Sequence, residues 1–166
     1  MLVHLVLIIF FVACAHAQNK ADEAAVRGIP QTFVAAWAKN DTQELAKVMS
    51  ENVDFVNISA DWLHGRQNFD PNHTRMFVGV YKHTETTQLD AVVSFLRRDV
   101  AVVDWSWSLK DEDAPKSEPH RWMFMMFVEK RAGGWLVADA ENTPHFEGGN
   151  PYMEGITPPI AFPATK

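Results

Sequence analysis

The second half of the chain is rich in strand-forming residues, and this feature limits the possible folds more than any other. Four segments rich in Val, Thr, Phe and Trp are separated by turns or by a short polar loop. They are Thr84–Leu96, Val100–Leu109, Arg121–Lys130 and Trp135–Asn142. Gly133 and Gly134 lie between the last two segments and predict a tight hairpin. Consecutive strands with short connections predict an antiparallel sheet.

The first half of the chain predicts helices. Four apolar residues between Asp22 and Lys39 recur at helical spacing. They are Val26, Ile29, Phe33 and Trp37. Pro30 predicts a kink or a restart near Ile29, because it has no N–H to donate to the carbonyl of Val26.

Two more helices and one short strand complete the order of elements. Asp41 and Glu44 form a capping box before a helix from Thr42 to about Met49. Val53–Asn57 predicts a short strand. Pro71 predicts the start of a third helix, whose apolar face consists of Met76, Phe77 and Val80. Helices followed by strands predict an α+β fold, with the helices on one side of a curved antiparallel sheet.

The first residues resemble a secretory signal peptide. Met1–Ala13 is apolar except for His4, and Ala15-His16-Ala17 is a small-x-small cleavage site. We expect residues 1–17 to be removed and the protein to be secreted or periplasmic. Cys14 is the only cysteine, and it lies in a string that resembles a lipoprotein box. The alternative is therefore a membrane-tethered lipoprotein anchored through Cys14.

Composition and motifs exclude several classes of function. With 21 acidic and 15 basic residues, the net charge is −6, which argues against nucleic acid or an anionic membrane as partner. No GxGxxG or P-loop motif occurs, so we expect no nucleotide cofactor. Asp61, His64, Asp70 and His73 form only a loose cluster without HExxH-type spacing, and we expect no metal. Eleven Phe and six Trp are enough to line an apolar pocket.

Several strings, taken in order, resemble the SnoaL-like branch of the nuclear transport factor 2-like superfamily, and the SgcJ/EcaC-type subgroup in particular. The strings are Phe33–Trp37, Asp54–Asn57, Gly65-Arg66 followed by His73 and Phe77, Val100–Val103 with Trp107, and Trp135 through Thr143. The resemblance implies a cone-shaped barrel with a deep apolar pocket, spanning residues 18–143. Residues 144–166 then form a Pro/Gly-rich tail. The resemblance also implies a homodimer that pairs through the outer face of the sheet.

Three carboxylates on the long strands are candidate catalytic groups. They are Asp104, Asp139 and Glu141. A carboxylate in an apolar cavity has a raised pKa and can serve as an acid or a base near neutral pH. Strict alternation along the last strand assigns Asp139 and Glu141 to the face of Trp135 and Val137. The sequence leaves open which face lines the pocket, and each carboxylate could equally belong to a solvated face.

His73 is the strongest single candidate, because the SgcJ/EcaC-type pattern carries a histidine at this place on the third helix. It falls on one helical stripe with Met76, Phe77 and Val80, so we expect it to line the pocket. The alternative is a histidine on the helix surface or one that satisfies a buried carbonyl. Asn57 and Asn142 could donate amide hydrogens to a ligand oxygen, or could only close strand ends and turns. The remaining candidate pocket residues are aromatic: Trp37, Trp62, Trp107 and Phe124.

Two functions of different classes fit these features. The first is an exported module that binds a small hydrophobic ligand or a partner without catalysis. The alternative is a cofactor-free cyclase or isomerase that uses acid–base chemistry on a small carbonyl compound. A carboxylate that meets His73 within hydrogen-bond reach in one cavity would favour the enzyme, whereas a dry, fully apolar cavity would favour the binder.

Overall fold

The protein is described here by a computed structural model that covers residues 2–113 and 120–145, with side chains from Lys20 onward. The elements run α1 (Leu2–Trp37), α2 (Thr42–Lys47), β1 (Met49–Val56), β2 (Trp62–His64), α3 (Arg66–Val78), β3 (Thr84–Arg97), β4 (Val100–Asp111), β5 (His120–Arg131) and β6 (Gly134–His145). The predicted α+β class is confirmed. Most of the predicted tail lies outside the described residues, and its first two residues, 144 and 145, belong to β6.

Six strands form one curved sheet in the order β2-β1-β6-β5-β4-β3. All neighbouring pairs are antiparallel except β1 and β6, which are parallel. The parallel pair forms because β6, the last strand of the chain, lies beside β1, the first. β2 and β3 are the two edges, so the sheet is curved without closing into a barrel.

The buried stripe of α1 packs against the concave face of the sheet. Val26, Ile29, Phe33 and Trp37 are at most 4% exposed, as their helical spacing predicts. The helix continues through Pro30 without the predicted restart. Near the proline, the hydroxyl of Thr32 donates to the carbonyl of Gly28 at 3.0 Å. Within the described residues, no helix combines the length and the apolar character that a membrane span requires.

The two short helices begin and end differently from the prediction. Asp41 caps α2, since its Oδ1 accepts from the backbone N–H of Glu44 at 2.9 Å. The carboxylate of Glu44 binds Lys47 instead of reaching back to Asp41. α3 begins at Arg66, five residues before the predicted start, and includes Pro71 in its second turn. The longer α3 puts Phe69, His73 and Phe77 on one buried face.

Candidate functional site

An aromatic pocket lies between the helices and the concave face of the sheet. Its lining consists of Phe33, Trp37, Phe55, Asn57, Ile58, His73, Met76, Tyr81, Trp107, Trp122, Phe124 and Asn142. The cavity measures about 20 Å³, counted as the volume open to the centre of a water molecule. This is room for about one water molecule. The aromatic side chains therefore fill most of the space that they enclose.

The aromatic walls are built from edge-to-face and stacked pairs. Phe33 on α1 meets Phe124 on β5 edge-to-face, with ring centroids 5.4 Å apart. Trp107 on β4 stacks on Trp122 of β5 at 4.8 Å. Trp37 contacts Trp107 at 5.4 Å and so joins the helix to the sheet. Such pairs add to the stabilisation that comes from burial alone.

His73 is the only ring nitrogen base among the lining residues, and it is 2% exposed. Its Nδ1 lies 2.9 Å from the carbonyl oxygen of Phe69, one helical turn earlier. A carbonyl only accepts, so Nδ1 carries the proton and donates. Burial lowers the pKa of His73 to about 4, against a smaller opposing effect of the bond to Phe69. The imidazole is therefore neutral at physiological pH, with its lone pair on Nε2.

Asn142 supplies the second polar group of the pocket. It lies on β6 and is 8% exposed. The indole Nε1 of Trp107 donates to its Oδ1 at 3.3 Å. Because an indole N–H can only donate, this bond fixes the orientation of the amide. The Nδ2 of Asn142 has no hydrogen-bond partner within the described residues and is left as a donor.

Asn57 lines the pocket, but its amide is used in the turn that follows β1. Its Oδ1 accepts from the backbone N–H groups of Ser59 and Asp61, at 2.8 and 3.0 Å. Its Nδ2 donates to the carboxylate of Asp61 at 3.1 Å. These bonds match the predicted alternative in which Asn57 closes a strand end.

The three candidate carboxylates lie on the convex face of the sheet, away from the pocket. On β4, every second residue from Ala101 to Leu109 is buried, and Asp104 belongs to the outward set. On β6, Val137 pairs with Val128 whereas Asp139 pairs with Phe127, so Ala138 is an extra residue in a β-bulge. The bulge reverses the alternation and turns Asp139 and Glu141 outward. The assumption of strict alternation was wrong at this point.

Trp62 is also outside the pocket. It lies on the edge strand β2 and is 71% exposed. Its Nε1 donates to Oδ1 of Asp54 at 2.9 Å, and the same oxygen lies 2.7 Å from Nδ1 of His64. The contact with His64 lowers the pKa of Asp54. Trp62 is therefore part of a polar cluster at the surface rather than a pocket wall.

The structure brings six of the ten predicted site residues together around one cavity. They are Trp37, Asn57, His73, Trp107, Phe124 and Asn142. Six further residues line the cavity without having been predicted as site residues: Phe33, Phe55, Ile58, Met76, Tyr81 and Trp122. Phe55 had a usable signal, because it is the central apolar residue of the short strand that ends at Asn57. Trp122 had another, since it is two residues before Phe124 on the predicted strand and so shares its face.

The loose acid–imidazole cluster does not assemble. Asp61 binds Asn57, His64 binds Asp54, and Asp70 accepts from Gln43 at 2.6 Å. No group of three His, Cys, Asp or Glu side chains in the described part of the chain is placed to hold a metal ion.

Comparisons with solved structures place this architecture among known folds. A domain of unknown function with a cystatin-like fold from Nostoc punctiforme is 24% identical, with a TM-score of 0.69 over 76% of this chain and 78% of that one. A nuclear transport factor 2-like protein from Novosphingobium aromaticivorans is 12% identical, with a TM-score of 0.75 over 90% and 96%. A ketosteroid isomerase-like protein from Erwinia carotovora atroseptica is 12% identical, with a TM-score of 0.61 over 74% and 95%.

Identities at this level establish the fold alone. No protein-family model and no curated protein matches the chain. The overall fold is what these structures share with it. The chain therefore has the cystatin-like fold of the nuclear transport factor 2-like proteins.

Proposed function

We propose that this protein is a binding module that holds a small, largely apolar molecule in its aromatic pocket without catalysing a reaction. One observation carries the proposal: none of the described residues that line the pocket is Asp, Glu, Lys or Arg. The two titratable lining groups, His73 and Tyr81, have pKa values shifted by burial away from neutrality in opposite directions. The pocket thus holds no group suited to acid–base work near pH 7.

Ligand entry requires movement at the rim of the pocket. Ile58, Met76 and Tyr81 are partly exposed and pack on the edge of the buried core. A ligand larger than water would displace these side chains and keep the buried aromatic walls as its contact surface. Apolar walls with a few fixed polar groups are typical of small-molecule sites.

The proposal is tested by titrating the full-length protein with p-xylene in a calorimeter. We expect saturable binding to the wild type. Met76→Trp narrows the rim and should abolish binding. Val78→Trp puts the same side chain at a position of the same helix that is 74% exposed, and this control should bind like the wild type. The absence of binding to the wild type, or equal binding by the Met76→Trp variant, would contradict the proposal.

The alternative, a cyclase or isomerase, has less support from the geometry. The ketosteroid isomerase-like neighbour shares the fold with this chain at 12% identity. The carboxylates expected to act with His73 lie on the other face of the sheet, and His73 itself is neutral. Membership of the SnoaL-like branch and of its SgcJ/EcaC-type subgroup remains a prediction from the sequence strings.

We also propose that the mature protein begins at Gln18 and is secreted or periplasmic. The first described tertiary contacts of α1 are consistent with this start. Oδ1 of Asp22 accepts from Nζ of Lys130 at 2.6 Å and from Nε1 of Trp135 at 3.0 Å. Cleavage after Ala17 would keep these bonds and the whole buried stripe of α1. The intact mass of the exported protein tests the proposal, and a lipidated Cys14 would contradict it.

We propose in addition that the protein is a homodimer that pairs through the convex face of the sheet. Met125 and Phe127 on β5 are 46% and 40% exposed on this face. Val102 lies directly opposite Phe127 and extends the apolar surface, whereas Asp104 separates Val92 from Met125 in the neighbouring cross-strand row. An apolar sheet face of this kind is commonly covered in an oligomer. Light scattering that gives one subunit mass at micromolar concentration would contradict this proposal.

A further inference from the structure

Two polar groups in the pocket have unused hydrogen-bonding capacity. Nδ1 of His73 donates to the carbonyl of Phe69, so Nε2 is an acceptor that has no partner within the described residues. Oδ1 of Asn142 accepts from Trp107, so Nδ2 is a donor in the same situation. Both side chains are more than nine-tenths buried. Neither of these two atoms is completely enclosed by protein, so each keeps some surface open to the cavity. A ligand group that forms hydrogen bonds with both atoms would gain affinity.

The two groups line one small cavity, His73 from α3 and Asn142 from β6. His73 belongs to α3 and contacts Trp37, with ring centroids 6.2 Å apart. Trp37 contacts Trp107, which holds Asn142 on the sheet side. The cavity that both line has the volume of about one water molecule. An acceptor on the helix and a donor on the sheet therefore border a space that has room for one small polar group.

We propose that the ligand carries a hydroxyl group that donates to Nε2 of His73 and accepts from Nδ2 of Asn142, on an otherwise apolar aromatic or alicyclic body. The inference rests on the proposed binding function and specifies its ligand. A hydroxyl both donates and accepts within the volume of a water molecule. A carbonyl or an ether would leave His73 without a donor. A carboxylate or an ammonium would enter a pocket whose described lining has no opposite charge.

Three probes of nearly the same shape test the proposal by calorimetry on the full-length protein. p-Cresol carries a hydroxyl, 4-methylanisole carries only an acceptor oxygen, and p-xylene carries neither. We expect p-cresol to bind about tenfold more tightly than p-xylene, which corresponds to about one net hydrogen bond. 4-Methylanisole should fall between the two, because it satisfies Asn142 alone.

A matched pair of variants tests whether His73 is responsible for the preference for p-cresol over p-xylene. His73→Asn retains an amide N–H near the position of Nδ1 for the bond to Phe69 and removes the acceptor at Nε2. His73→Gln puts an amide near the position of Nε2. We expect the preference for p-cresol over p-xylene to fall to less than about twofold in His73→Asn and to be partly retained in His73→Gln. Thermal melts of both variants establish that they are folded.

The outcomes separate this inference from the function on which it rests. If the wild type binds none of the three probes, both the binding function and the inference fail. If p-cresol and p-xylene bind equally, the binding function stands and the hydroxyl inference is overturned, because the polar groups then hold only an ordered water. A preference for p-cresol that is unchanged in a folded His73→Asn variant would also overturn the inference.

Discussion

The two faces of the sheet differ sharply in chemistry, although the same strands supply both. On β5, Phe124 is 1% exposed and faces the pocket, whereas its neighbour Met125 is 46% exposed on the convex face. The concave face carries aromatic rings and neutral polar groups. The convex face carries Asp104, Asp139 and Glu141 among apolar residues. The chemistry of the pocket is therefore determined by which set of alternate residues on each strand faces inward.

The cost of desolvating charge explains this difference. An ionised carboxylate on the concave face would lose its hydration without a described cation to replace it. His73 is the titratable group buried there, and it remains neutral because its pKa is about 4. On the convex face, Asp104 is only partly buried, and desolvation raises the pKa of its carboxyl in the way expected for an acid.

The largest expected effect comes from truncating neighbouring residues on opposite faces. Phe124→Ala should lower the free energy of unfolding by about 3–5 kcal/mol, because it leaves a cavity among Phe33, Phe55 and Trp105. Met125→Ala should change the stability of the subunit by about 0.5 kcal/mol or less. Urea denaturation of both variants measures the difference. Equal losses would contradict the assignment of the two faces.

The free energy of unfolding measured below neutral pH tests whether His73 is buried. A lowered pKa means that the unfolded chain binds a proton at His73 before the folded chain does. Stability from this source is complete above about pH 6.5 and is lost as the pH falls towards 4. The loss amounts to roughly 3 kcal/mol over this range.

The difference between wild type and His73→Asn isolates this effect from other titrating groups. Denaturation at a series of pH values should show the wild type losing about 3 kcal/mol relative to the variant between pH 6.5 and 4. His120→Asn, at an exposed histidine on β5, is the control and should follow the wild type. Parallel curves for wild type and His73→Asn would contradict a buried, neutral imidazole.

Much of the fold could be predicted from the sequence, because local patterns determined it. The α1 stripe from Val26 to Trp37 follows helical spacing, and the alternation of β4 follows the two faces of a strand. The start of α3 could not be predicted from a local pattern of this kind. Arg66–Asp70 is polar apart from Phe69, and Pro71 is a common helix start. Here Pro71 lies in the second turn of α3 instead, where it has no N–H to donate to the carbonyl of Gln67.

The candidate site was predicted less completely, because the residues that face the pocket depend on the register between neighbouring strands. The bulge at Ala138 is one extra residue opposite β5, and it arises from strand pairing rather than from a local pattern. It moves Asp139 and Glu141 from the expected pocket face to the convex face. Trp62 shows a second limit, because an aromatic residue on a three-residue edge strand gives no sign of which side it faces.

A charge placed on the convex face should separate the proposed dimer while leaving the pocket intact. Phe127 is 40% exposed and lies opposite Val102 on this face. Phe127→Lys would bury a cation at the proposed interface and should weaken association by more than about 1 kcal/mol. Light scattering across a dilution series should show dissociation, and p-xylene binding should be unchanged. An unchanged dimer would mean that association uses another surface.

The smallest expected effect concerns Asp104, which pairs across the strands with Val92 and Met125. Its raised pKa means that the folded chain holds the ionised carboxylate less readily than the unfolded chain does. The group therefore lowers stability at neutral pH. This cost begins to shrink as the pH falls through the folded pKa of Asp104 and is gone below the ordinary carboxyl pKa of 3.8. Asp104→Asn should stabilise the protein at pH 7 by about 0.5 kcal/mol or less, because the side chain is largely solvated. The gain should vanish near pH 3. A stabilisation that persists there would show that Asn packs better on the convex face, and a loss at pH 7 would mean that the carboxylate has a favourable partner.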